Sequence, residues 1–198
     1  MPNVADLDKP DSPNGKDVLV PASRAEWRVW LSENGERPDG LWVVYPKKSS
    51  PVEGPLYDEL VEEALCFGWI DSVTKRVDDD RLIQWFSPRR KGGIWSALNK
   101  ERLARLVGQG LMTERGQRVI DEAMADGSWS QYDDVDELIV HDDVREALDK
   151  SPAALGNWES SSSSAKKQYL WSVYSAKRAE TRASRIEALI QALSSAGN

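Results

Sequence analysis

Apolar positions along the chain change their period several times, and each change marks an element. Behind Ser23, with Glu26 placed as its capping-box partner, Trp27, Trp30 and Leu31 repeat at i, i+3 and i+4, which predicts a short amphipathic helix ending near Asn34 and Gly35. After the Pro38-Asp39-Gly40 turn, LWVVYPKK is dense in β-branched and aromatic residues and is stopped by Pro46, as a strand is. Leu60, Val61, Ala64 and Leu65 draw one stripe along Tyr57–Phe67, predicting a helix with Gly68 at its C-cap. WIDSVTKRV and RLIQWFS then read as two strands joined by Asp78-Asp79-Asp80, and so short a connection allows only an antiparallel hairpin.

Beyond Ser87 the period is helical almost throughout. Leu98, Leu103, Leu106 and Val107 follow a start near Ser96. Thr113 caps a segment carrying Val119, Ile120, Ala123 and Met124, which Gly127 closes. Further helices are predicted over about Asp143–Lys150, after Ser151-Pro152, around Tyr169–Tyr174 and around Ile186–Leu193, and the serine run Ser160–Ser164 reads as a loop and N-cap. The fold class is therefore α+β: an N-terminal helix plus a small antiparallel sheet, followed by a mostly helical C-terminal half. Residues 1–22 are expected to be a flexible leader, 23–94 an α+β subdomain, and 95–198 a helical subdomain packed on it.

Charge sharpens this outline. The 198 residues carry 33 acidic and 26 basic side chains, a net charge of -7, but the average conceals a bipolar chain. Residues 121–149 hold eleven acids against one Arg, whereas 81–102 hold six basic residues and one acid, and 166–187 six and two. The net charge and the lack of a recognised motif argue against nucleic-acid binding. A single Cys66 and a single His141 exclude an intramolecular disulfide and a Cys/His zinc cluster, so no metal and no cofactor is expected. Cys66 lies in an apolar helix stripe and His141 beside Asp142 and Asp143, neither with a catalytic partner close in sequence. No stretch is apolar enough to span a membrane and the first residues do not read as a signal peptide, so a cytoplasmic location is expected.

Three segments carry candidate chemistry. In Cys66-Phe67-Gly68-Trp69-Ile70-Asp71, Trp69 and Asp71 can wall a pocket with one charge, or simply form a helix-to-strand corner. In Pro88-Arg89-Arg90-Lys91-Gly92-Gly93, followed by Trp95, Ser96, Asn99 and Arg102, cations and paired glycines precede a helix start, the setting an anion requires; a solvated basic loop beside a core Trp is the plain alternative. The spacing does not match a P-loop. On the last helical stretch Lys177, Thr181 and Arg182 give a cationic face that either lines a ligand cleft or pairs with the chain's own acidic segment.

Taken together, W-x-x-W-L (27–31), G-L-W-V (40–43), Y-x-E-x-V-E-E-A-L-C-F-G-W-I-D-S (57–72), S-P-R (87–89), W-S-x-x-N-K-E-R (95–102) and A-K-R-x-E-T-R-x-x-R-I (176–186) resemble the YdeI/OmpD-associated, or bacteriocin-protection, family over about Ser23–Leu193. The resemblance implies a protein named for protection against bacteriocins or cationic antimicrobial peptides, with no established catalysis, so binding is expected in preference to an enzymatic step. Two partners are then open: a cationic peptide attracted by the acidic segment, or a small anionic, phosphorylated metabolite recognised by an enzyme or receptor pocket of Trp69, Asp71, Arg89, Arg90, Trp95, Ser96, Asn99 and Arg102, with Asp71 as base or hydrogen-bond acceptor. A homo-oligomer is compatible with both.

Overall fold

A computed structural model describes residues 1–195, and the chain divides into two compact units, Met1–Trp129 and Ser130–Asn198. The break falls at 129/130 and not at the expected 94/95, because the helices following Ser96 share one apolar core with the sheet.

The first unit runs β1 (Val18–Leu19), α1 (Arg24–Asn34), β2 (Leu41–Pro46), α2 (Tyr57–Cys66), β3 (Trp69–Arg76), β4 (Arg81–Pro88), α3 (Ala97–Gly108) and α4 (Glu114–Asp126). The strands form one sheet in the order β1-β2-β4-β3, with β2, β4 and β3 antiparallel as the sequence predicts. The added β1 lies parallel to β2. Two residues are too short to show a period, which is why this strand is silent in the sequence.

Both faces of the sheet are covered, so β2 is buried at every position and reads as a continuous apolar run. On one face Leu41, Val43 and Phe86 join Trp27, Leu31, Leu60, Trp69, Leu103 and Leu106 from the neighbouring helices and strand. On the other, Trp42, Val44 and Ile83 pack with Val52 and with Val4. Val4 is fully buried and its N–H donates to Glu53 O at 2.7 Å, so the segment expected to be a flexible leader supplies the cover of this second face.

The helices are held by charge as well as by apolar area. Glu63 on α2 is 2 % exposed and receives Arg24 Nε at 2.6 Å and Arg28 Nη1 at 2.6 Å, both from α1. Arg24 also reaches Glu62 at 2.9 Å, and Arg105 on α3 pairs with the same carboxylate. Burial alone would lower the Arg24 and Arg28 pKa values, but the Glu63 bonds outweigh it and hold both above the ordinary value. At the far end of α2 two glycines are required. Gly68 takes φ of 71° to turn the chain into β3, and a Cβ on Gly116 would stand 2.1 Å from Cys66 O, so only glycine lets α4 approach α2 this closely.

The second unit consists of α5 (Asp133–Asp136), α6 (Asp142–Asp149), α7 (Pro152–Ser160), α8 (Ser163–Tyr174) and α9 (Ala179–Ser195). Val135, Val144, Leu148, Ala154, Trp158, Leu170, Val173, Leu189 and Leu193 make its core. Ser162, inside the serine run, caps α8 by accepting from Ala165 N–H at 3.2 Å. No helix among the described residues is long and apolar enough to cross a membrane.

Glu63→Ala leaves two cations facing a buried vacancy and is expected to cost about 3–5 kcal/mol in urea unfolding. Arg105→Ala, at a half-exposed partner, is expected to stay within about 1 kcal/mol of the parent. Equal effects of the two would refute the clamp.

Candidate functional site

Strand β3 carries one extra residue where its polar side chains are needed. Asp71 pairs with Phe86, but the next matched pair is Thr74 with Gln84, so three steps on β3 oppose two on β4. An uninterrupted strand would send Asp71 and Thr74 to opposite faces. The bulge lets both reach Gln84, whose Oε1 accepts from Thr74 Oγ1 and whose Nε2 donates to Asp71 Oδ2 at 3.2 Å. Gln84 is 1 % exposed, so its amide needs both partners.

Tyr57, the first residue of α2, donates its hydroxyl to the same Asp71 oxygen at 2.6 Å. Burial, with the Asp71 carboxylate behind it, raises the Tyr57 phenol far above its usual range. Arg102 on α3 acts on Tyr57 in the opposite sense, which brings α3 to this corner. Its guanidinium donates to Asn99 Oδ1 at 3.2 Å and pairs with Asp58, while Ser96 caps the helix that carries it.

Arg89 follows β4 directly, and its N–H donates to Gly68 O at 2.9 Å. Its guanidinium carbon lies 3.5 Å from the centre of the Trp95 ring, and Nη1 donates to Ile94 O at 3.1 Å. It forms no ion pair among the described residues, and its Nε is buried without a hydrogen-bond partner. Burial lowers the Arg89 pKa to about 10, a fall that the Asp71 charge only partly offsets. A cavity of about 30 Å³ adjoins it, lined by the cations Arg89, Arg90 and Lys91 and by the carboxylates Glu122 and Asp126, with Trp95 and Ser128 among the other walls.

Of the residues singled out by sequence, Asp71, Arg89, Trp95, Ser96, Asn99 and Arg102 thus border one corner of the first unit, with Arg90 exposed at its edge. Trp69 stands in the core, fully buried, with Nε1 donating to Gly35 O at 2.9 Å and its ring edge-on to Trp30. Tyr57, Asp58, Thr74 and Gln84 were not foreseen. Gln84 left a signal, a polar residue in phase with the core-facing positions of RLIQWFS.

Lys177, Thr181 and Arg182 belong to the second unit, where Lys177 and Thr181 are exposed. Arg182 forks onto Asp143 at 2.6 and 2.9 Å, lies 4.9 Å from the Tyr174 ring centre, and donates to His141 Nδ1 at 3.1 Å. An arginine only donates, so Nδ1 accepts and the ring hydrogen sits on Nε2, 2.7 Å from Asp134 Oδ2. Arg182 holds the Asp143 carboxyl below its usual range. Here the basic face pairs with the chain's own acidic segment. The Cys66 thiol is pushed up to about 11 by burial and then by Glu63, away from nucleophilic character.

Residues 19–119, just over half of the chain, match the family described as "Domain of unknown function (DUF8412)". Residues 137–195 match the family described as "Bacteriocin-protection, YdeI or OmpD-Associated". The resemblance read from the sequence therefore holds for the C-terminal segment with Lys177, Thr181 and Arg182, while the strings from Tyr57 to Arg102 fall in the other match. No curated protein and no solved structure matches the chain.

Asp71→Asn removes the carboxylate that helps suppress Tyr57 ionisation. Phenolate absorbance during alkaline titration should show one tyrosine ionising at lower pH in this variant than in the parent; an unchanged titration would contradict the Tyr57–Asp71 bond.

Proposed function

The chain belongs to the family of the domain of unknown function matched over residues 19–119, and from that premise we propose that it works by binding a small anionic ligand at Arg89 in its first unit, without transforming it. The observation that supports this reading is the state of Arg89: a partly buried guanidinium with a ring beneath it, one carbonyl acceptor, a buried unused Nε and no ion pair among the described residues. Stacking on Trp95 returns only about 0.5–2 kcal/mol and leaves the buried Nε–H without an acceptor. An anionic oxygen in the adjoining cavity would supply the missing charge-assisted bond.

The cavity volume limits what enters. About 30 Å³ is the share of one water in the liquid, so one terminal oxygen of a phosphate or carboxylate fits and the rest of the ligand lies outside, near exposed Arg90 and Lys91. Trp95, Asn99 and Arg102 border the same corner, and Asp71 orients it through Tyr57 and Gln84. The match of residues 137–195 to the bacteriocin-protection family supports assigning this ligand capture to protection of the cell, exerted from the cytoplasm. Attraction of a cationic peptide by the acidic segment has less support, since Asp134, Asp136 and Asp143 already pair with His141, Lys167 and Arg182.

Titration calorimetry with pyrophosphate and with citrate tests the reading. Saturable binding by either is expected, at least tenfold weaker in Arg89→Met; equal affinity in that variant, or no binding of either anion, would refute it. Without ligand, Arg89→Met is expected to unfold no more easily than the parent, because it removes an unpaired cation. The sign of the pH effect follows. Burial sets the folded pKa at about 10, below that of the unfolded chain, so above it the unfolded chain holds the proton that the folded chain has lost and the Arg89 contribution to stability rises with pH. Arg89→Met should lack this rise when the two proteins are compared in urea across that window.

A further inference from the structure

A second hollow, away from Arg89, has the shape and lining of a small-molecule site. It encloses about 400 Å³ and is lined by Tyr45, Pro46, Lys47, Lys48, Leu56, Tyr57, Asp58 and Leu82, within the range of about 300–1,000 Å³ usual for ligand pockets. Its wall is aromatic and fixed. The Tyr45 and Tyr57 rings lie 5.9 Å apart at 35°, and the Tyr57 hydroxyl is drawn off to Asp71, so the hollow meets the ring and not the polar tip. Leu56, 51 % exposed, stands at the lip.

The charges around it are unequal in availability. Asp58 is paired with Arg102. Lys47 Nζ donates to the carbonyls of Asp78 and Asp79 at 2.9 and 2.7 Å but has no carboxylate partner among the described residues, and exposed Lys48 forms no ion pair there either. The hollow therefore offers an apolar, aromatic wall beneath an uncompensated positive rim. We propose that it binds an aromatic monocarboxylate, with the ring against Tyr45, Tyr57 and Leu82 and the carboxylate at Lys48. An aryl acid is favoured over a simple inorganic anion because most of the lining cannot hydrogen-bond, and over an aromatic amine because the available charge is positive.

The probe is 2-naphthoate, titrated into the full-length protein by calorimetry at low salt. Saturable binding is expected, at least tenfold weaker in Lys48→Glu and in Leu56→Glu, both substitutions at exposed positions, and at least tenfold weaker for 2-naphthylmethylammonium on the parent. Arg89→Met should bind 2-naphthoate as the parent does, which separates this site from the anion site proposed above. Absence of binding, equal binding of the ammonium analogue, insensitivity to both Lys48→Glu and Leu56→Glu, or loss in Arg89→Met alone would overturn the proposal.

Discussion

The first unit is organised around a carboxylate that water does not reach. Glu63 is fixed on α2 and receives two arginines from successive turns of α1, so α1 can neither slide nor rotate without stranding a charge in the core. Such an arrangement is a poor source of net stability, since desolvating the three groups cancels much of their attraction, but it penalises every other register heavily. The register matters because α2 sets everything downstream. Its first residue is Tyr57, and its last carbonyls receive Thr113 and Arg115 from the start of α4. Its C-terminal turn passes through Gly68 into β3. A shift of α2 by one residue would separate Tyr57 from Asp71 and open the corner that Arg89 and Arg102 border.

How far this was legible in the sequence depended on whether the cause was local. The stripe Leu60, Val61, Ala64, Leu65 and the caps at Ser23, Ser96 and Thr113 act over a few residues, and each appears where the spacing put it. Asp71, Arg89, Asn99 and Arg102 stand out in the sequence because charged and amide residues beside glycines and a helix start are unusual locally. What escaped was set by distance. Val4 reads as one apolar residue among Pro and Asp, and only the apolar back of β2 and β4, set by the folded sheet, gives it a place to bury. The bulge between Asp71 and Thr74 is visible only from the partner strand, and without it Thr74 and Gln84 do not belong to the site. The unit boundary at 129/130 was hidden for the same reason, since a change from strands to helices says nothing about which core the helices join.

Charge is treated in two ways within the chain. Glu63 with its arginines, and Arg182 with Asp143 and His141, are saturated: nearly every donor faces an acceptor, as buried polar groups require. Arg89 departs from that rule within the same well-packed surroundings. A position that breaks a local rule while its neighbours obey it is where function is to be sought, because selection for stability alone would have replaced or paired the cation.

The same accounting bears on catalysis against binding. Proton transfer requires a group with a free lone pair or a proton at a reachable atom. His141 accepts from Arg182 on one nitrogen and meets Asp134 on the other, and Cys66 is buried with its pKa driven upward. Tyr57, the remaining acid at that corner, is pushed toward holding its proton and not toward giving it up. What the corner leaves unspent is positive charge and ring surface, at Arg89 over Trp95. Those are the means to hold an anion in place.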